Sequence, residues 1–147
     1  MYNYKQSLQL LQVLKTRVFD QSSNLIKFRI LTNIGASYLG LNKIAEAAEC
    51  YIEALKYNLN ESKAKANAAL GYILLEKLQD AKDILSQVLS DNPAHLRAKS
   101  LIIQAVASRE ELEKVLDDIP SDQKENIDIA AAAGAMYATY GLSLIHI

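Results

Sequence analysis

A pattern of residues returns every 34 positions through the middle of this chain. Gly35, Tyr38, Ala47, Tyr51, Ala54 and Leu55 recur as Ala69, Tyr72, Ala81, Leu85, Val88 and Leu89. A fixed period of a few tens of residues marks a stack of small supersecondary units. Each unit is too small to bury its own apolar face, so the core forms only where neighbours meet. Within the period the apolar spacing is helical. Leu31, Ile34, Gly35 and Tyr38 fall at three- and four-residue steps, and so do Ile44, Ala47, Ala48, Tyr51, Ala54 and Leu55. Residues 28–61 and 62–95 align without a gap, and each reads as two amphipathic helices.

Small residues sit at set places in this pattern. Gly35, Ala47, Ala69 and Ala81 allow helices to approach closely, and Tyr38 and Tyr51 fill the space beside them. Asn42 and Asn60 are expected as N-caps of the helices that follow them. Asn92-Pro93 reads as an N-cap with proline at the first helical position. Only two prolines and five glycines interrupt 147 residues rich in helix formers, and the length suits one domain.

The outer units are less regular. A third repeat is expected over 96–126. Leu101, Ile102, Ile103 and Val106 form its first stripe, and a capping box, Ser108 with Glu111, opens a second helix carrying Leu112, Val115, Leu116 and Ile119. A half repeat, 127–141, shows Ala133, Gly134, Tyr137 and Gly141. At the other end, residues 3–18 read as a lone second helix, in which Ser7, Leu11 and Leu14 align with Ala47, Tyr51 and Ala54. The expected domain is therefore one array over 1–141, all-α, with about eight helices.

The residues at these positions resemble the tetratricopeptide repeat family. Its signature matches Leu31, Ile34, Gly35, Tyr38, Ala47, Tyr51 and Ala54 in one unit, then Ala68, Ala69, Tyr72, Ala81, Leu85, Val88 and Pro93 in the next. Leu59 stands where the family carries proline, and Lys65 where it carries a large apolar residue. The resemblance covers about residues 3–141 and is strongest in the two middle units. It implies a right-handed superhelical solenoid of antiparallel hairpins whose first helices line a concave groove. In members that clamp chaperone C-termini, the clamp would fall on Thr32, Ala36, Asn67, Arg97 and Leu101. Only Asn67 and Arg97 have fitting chemistry, so that clamp is not expected here.

The last six residues, Leu142 to Ile147, resemble the translation of a transposon end used to prepare DNA sequencing libraries. They are expected to be a non-native tail (142–147) on a truncated fragment. Met1 is open to reading as an internal methionine. From Ile129 to Ile147 there is no charged side chain, a length near that of a membrane span. The run is dominated by Ala, Gly, Tyr and Ser, so no membrane partner is expected.

Little in the chain could carry chemistry. Cys50 is the one cysteine, and His95 and His146 are the two histidines, so no metal cluster appears at ligand spacing. No nucleophile triad or phosphate loop can be assembled. No enzyme activity and no cofactor are expected. One polar pattern does repeat: Arg29, Lys63 and Arg97 are each 34 apart, with Asn33 and Asn67 also matched. Together with Thr32, Leu70 and Gln104, these residues are the candidate peptide-binding groove of a protein-interaction scaffold. Cations backed by amides suit an acidic peptide or protein partner.

The alternative is a sensor or oligomerisation arm of a larger multidomain enzyme or regulator. Single-stranded nucleic-acid binding is disfavoured, because the net charge is −1 and the ladder holds three cations. Self-association through exposed terminal repeats and a cytoplasmic location complete the expectations.

Overall fold

The computed structural model describes residues 3–140. Among them the fold is all-α, built from helices packed in consecutive antiparallel pairs. Eight α-helices are present: α1 (Tyr4–Val18), α2 (Asn24–Gly40), α3 (Ile44–Leu55), α4 (Ser62–Leu74), α5 (Leu78–Asp91), α6 (Leu96–Gln104), α7 (Arg109–Asp117) and α8 (Ile127–Thr139). A 3-10 turn, Phe19–Gln21, links α1 to α2. The chain divides between Lys77 and Leu78 into two compact units. The tail 142–147, Gly141 and Met1 lie outside the described residues.

In the first unit α1 packs on α2, α2 on α3, and α3 on α4. Two apolar clusters hold these contacts. Leu8 of α1 meets Ile30 and Ile34 of α2. Phe28 and Leu31 of α2 meet Ala54 of α3 and Ala64 of α4. The small residues act as the sequence requires: Ala47, Ala54, Ala68 and Ala69 have no exposed surface, and a side chain added at Gly35 would press on the Tyr51 ring at 3.1 Å. At Gly71 the close neighbour is backbone: an added Cβ would fall 2.8 Å from the Ala48 carbonyl oxygen.

In the second unit α6 is the hub, packing against α5, α7 and α8. Ile103, Val106, Leu112, Ile119, Ile129 and Tyr137 form its core. Fully burying each such side chain contributes about 1.5–3 kcal/mol. The Tyr140 hydroxyl donates to the Val106 carbonyl at 3.0 Å and ties the end of α8 to the end of α6.

The helix ends correct several expectations. Asn42 is not an N-cap of α3. It lies at φ 59°, in the left-handed region, and ends α2. Its N–H donates to the Leu39 carbonyl and the Lys43 N–H to the Tyr38 carbonyl, at 3.0 and 2.9 Å. That pair of bonds is a Schellman motif. Glu76, 34 residues later, has the same φ of 59° and ends α4 with the same pair, Glu76 to Ile73 and Lys77 to Tyr72. The period is thus written in the backbone as well as in the side chains. Asn60 does not cap α4. Glu61 occupies that place without a side-chain bond.

Asn92-Pro93 also fails as a cap. The Asn92 side chain accepts from the Ala94 N–H at 3.2 Å in a turn, and α6 starts only at Leu96. Its cap is His95, half-buried, whose Nδ1 accepts from the Ala98 N–H at 3.1 Å. The Ser108 cap is as expected: its hydroxyl accepts from the Glu111 N–H at 3.2 Å. The Glu111 carboxylate reaches back one residue further than a capping box requires, to the Ala107 N–H at 2.8 Å.

Candidate functional site

Helix periodicity gathers the candidate groove residues into short rows, one per helix. On α2, Arg29 and Asn33 are one turn apart and both exposed. Thr32 beside them is half-buried, and its hydroxyl oxygen is buried without a hydrogen-bond partner. On α4, Lys63 is exposed, Asn67 one turn on is buried at 5% exposure, and Leu70 is half-buried. The α4 row thus passes from a charge at its start to an apolar side chain near its end. Helix α3 packs against both α2 and α4, so these two rows belong to one unit. Arg97 and Gln104 lie on α6 in the second unit. Arg97 is exposed, and Gln104 is half-buried with its amide donating to the Ser100 carbonyl at 3.4 Å.

The electrostatics favour anions most at the start of α6, since Glu61 at the N-cap of α4 offsets Lys63 there. Lys63 and Arg97 are each the second residue of their helix, and neither first turn holds an acidic side chain. A helix N-terminus already carries a partial positive charge and unpaired N–H groups. A cation placed there raises the local potential instead of neutralising it. Such positions cost a little stability and attract carboxylates or phosphates.

The sequence is 29% identical over 108 residues to trafficking protein particle complex subunit 12 of Homo sapiens, a stretch that is 74% of this chain and 14% of that protein. It is also 29% identical over 107 residues to the subunit 12 of Mus musculus, covering 73% of this chain and 13% of the relative. The chain therefore spans about one-seventh of the length of the curated relatives it matches. No family model matches the sequence. No solved structure matches it.

The titratable groups outside the rows are structural. Burial pushes the Cys50 thiol up from 9.0 to about 11. Lys15 opposes the rise, and Glu53, Glu49 and Glu46 reinforce it. Cys50 is half-buried against Gly35 and is a protonated packing residue at neutral pH. Burial alone would raise the Glu111 carboxyl, but the Ala107 N–H and the Lys82 ammonium outweigh it and hold the group below its ordinary value. Lys82 and Glu111 form an ion pair that bridges α5 and α7. Among the described residues, no group of three His, Cys, Asp or Glu side chains could hold a metal ion, and no helix is long and apolar enough to cross a membrane.

Sequence reasoning missed two features. A pocket of about 190 Å³ in the second unit is lined by Leu89, Ile102, Val115 and Ile119, with Lys99 and Asp118 at its polar edge. It arises where three helices meet, so no local pattern announces it. The second is the outward apolar face of α1, where Leu10, Val13 and Leu14 are 65%, 50% and 44% exposed.

Proposed function

We infer that this chain is a protein-interaction module of the tetratricopeptide kind, and that its first helices grip an acidic peptide or protein segment. The observation that carries this reading is the set of exposed cations Arg29, Lys63 and Arg97, repeated every 34 residues on α2, α4 and α6. Asn33 and the half-buried Leu70 supply an amide and an apolar contact beside them. Within the first unit, charge-assisted bonds from Arg29 and Lys63 would orient a carboxylate-bearing segment, and the apolar contact adds affinity that salt does not screen; Arg97 offers the same chemistry in the second unit.

The likeness to subunits of a trafficking particle complex supports a setting for this activity: assembly with the other proteins of such a complex. Because the matched stretch is about one-seventh of those subunits, the chain reads as a binding arm rather than a whole machine. The repeat boundaries 28–61, 62–95 and 96–126 belong to the same proposal.

The test is a pairwise titration of the purified chain against each purified subunit of a trafficking particle complex. At least one subunit binds, and the double variant Arg29→Glu/Lys63→Glu weakens that binding about tenfold or more with helicity unchanged. Arg97→Glu reads the second unit on its own. Binding by no subunit sinks the setting, and unchanged affinity in both variants removes the cation rows.

A further inference from the structure

The second unit contains a cavity that its own side chains leave unfilled. It holds about 190 Å³ and lies between α5, α6 and α7. Leu89 of α5, Ile102 of α6, Val115 of α7 and Ile119 just beyond α7 form its walls, and Lys99 and Asp118 stand at its edge. Helical spacing brings these residues together. Lys99 and Ile102 are one turn apart on α6, and Val115 is one turn before Asp118 and Ile119, so each set shares one side of its helix.

A difference in helix length opens the cavity. Lys82 near the start of α5 pairs with Glu111 near the start of α7. Two turns on from each, about 10 Å of helix, come Leu89 and Asp118, which meet again at the cavity. The two helices therefore run side by side in the same direction. From that ion pair α5 continues to Asp91, whereas α7 stops about one turn sooner, at Asp117. Helix α7 has 9 residues, where α3 and α5 have 12 and 14. The space lies beside Leu89, at the level where α7 ends.

Size and lining select the occupant. An apolar cavity of about 150 Å³ holds a benzene ring. A volume of about 190 Å³ therefore takes a phenyl ring and the methylene that carries it. It is too small for a nucleotide or similar cofactor, which needs about 300 Å³ or more. The walls are aliphatic, so a tyrosine hydroxyl would be buried against them without a partner. Phenylalanine is the side chain that fits.

Charge selects what flanks the ring. Asp118 is the exposed C-cap of α7, and among the described residues its carboxylate has no hydrogen-bond or ion-pair partner. A carboxylate there meets the negative end of the helix dipole, so a cation is favoured beside it. The same sign prevails on both framing helices. Helix α5 exposes Asp80, Asp83 and Asp91 against one cation, Lys82, which is already paired, and α7 ends in Asp117 next to Asp118. Lys99 donates to the Gln123 side-chain carbonyl and keeps N–H groups for a backbone carbonyl.

We propose that this cavity anchors a phenylalanine side chain from a basic segment of another protein. The ring enters between Leu89, Ile102, Val115 and Ile119. A neighbouring lysine or arginine of the segment pairs with Asp118, and Lys99 donates to the segment's backbone. One ring buried in a pocket, with polar contacts at its rim, is the arrangement of an interface anchor. The partner is opposite in charge to the acidic segment that the cation rows of α2, α4 and α6 would select. The two surfaces share no residue, so this inference and the proposed function stand or fall separately.

The experiment is a methyl-NMR titration of the full chain with a blocked tetrapeptide, Lys-Lys-Phe-Lys, up to about 5 mM. The methyl signals of Leu89, Ile102, Val115 and Ile119 shift together and saturate, with a Kd of roughly 0.1–1 mM for so short a probe. Alanine in place of the phenylalanine weakens binding at least tenfold, and tyrosine at least fivefold. Glutamates in place of the lysines weaken it about threefold or more, a difference that fades at high salt. Leu89→Trp fills the cavity and abolishes the shifts. Asp118→Lys, at an exposed position where the fold is kept, reverses the preference between the lysine and glutamate peptides. Arg29→Glu/Lys63→Glu leaves the shifts unchanged. If Leu89→Trp lowers helicity, the alanine peptide and Asp118→Lys decide the matter on the native fold. No saturable shift at these methyl groups, equal binding of the alanine peptide, or binding that survives a folded Leu89→Trp overturns the anchor. Equal or tighter binding of the glutamate peptide, or a lysine preference untouched by Asp118→Lys, overturns the basic partner.

Discussion

Gly71 and Gly134 make a matched pair for measuring how tightly the first unit is packed. Each lies within a helix, so replacing either with alanine recovers about the same helix propensity, up to roughly 1 kcal/mol. Their surroundings differ. At Gly134 the new methyl group enters open space, so Gly134→Ala stabilises by nearly that full amount. At Gly71 the methyl carbon would lie 2.8 Å from the Ala48 carbonyl oxygen and 3.1 Å from Ile52 Cγ1. A relaxed carbon–oxygen contact is about 3.3–3.6 Å, so α3 and α4 must part by roughly half an ångström. The obstacle is backbone, which cannot swing aside as a side-chain tip does. Overpacking of this kind costs about 1–3 kcal/mol. Subtracting the two variants cancels the propensity term and leaves the overpacking cost alone.

Urea titration followed by far-UV circular dichroism, at low micromolar protein to suppress association, reads the difference. Gly134→Ala should exceed Gly71→Ala by about 1–3 kcal/mol, equivalent to roughly 4 °C in Tm per kcal/mol. Gly35→Ala should fall between them, because its closest neighbour is the Tyr51 ring at 3.1 Å, which can tilt. If Gly71→Ala proves as stable as Gly134→Ala, the α3–α4 approach described here is wrong.

Glu76 holds a left-handed backbone at φ 59°, which a Cβ disfavours, so Glu76→Gly should stabilise by about 0.5–1 kcal/mol in the same titration. A loss would mean that the Schellman geometry is not what ends α4. His95→Ala removes the acceptor that caps α6 and should cost about 1 kcal/mol, and full retention of stability would refute the cap. The Cys50 thiol should react slowly with a disulfide reagent at pH 8. Its raised value near 11 means that the native state keeps its proton after the unfolded chain loses it near 9.0, so stability falls as pH rises between those values. Fast stoichiometric labelling of native protein at pH 8 would contradict this. Glu111 is held below its ordinary value, so its contribution is present above 4.5 and is lost as pH falls through the lowered value. Glu111→Gln should therefore cost about 0.5–1 kcal/mol at pH 7 and little in strong acid, and an equal cost at both would exclude the ion pair.

The helices were legible because their signal is local and repeated. Leu31, Ile34, Ala47, Tyr51 and Leu85 sit at helical spacing, and every one of them is buried. The helix ends were less legible for a physical reason. Asparagine is favoured both as an N-cap and in the left-handed conformation that ends a helix, and residue type does not choose between them. Asn42 took the second role. What decided it was the geometry of a tight interhelical turn, and Glu76, a poor residue for that conformation, adopts it 34 positions later for the same reason. Where residues are forced by turn geometry, propensity is a weak guide. His95 shows the converse, an unusual capping residue used because Asn92 is spent on its own turn.

The same distinction governs the candidate site. Arg29, Lys63 and Arg97 could be singled out because a binding surface built on repeats inherits their period. The outward apolar face of α1 has no period to betray it. The core side of α1 is the one that carries Leu8, packed against Ile30 and Ile34, and Leu10, Val13 and Leu14 are exposed on the other. An amphipathic helix announces one apolar face, whereas α1 has two: one already satisfied within the first unit, and one whose exposure of three large side chains is costly in water unless something covers it.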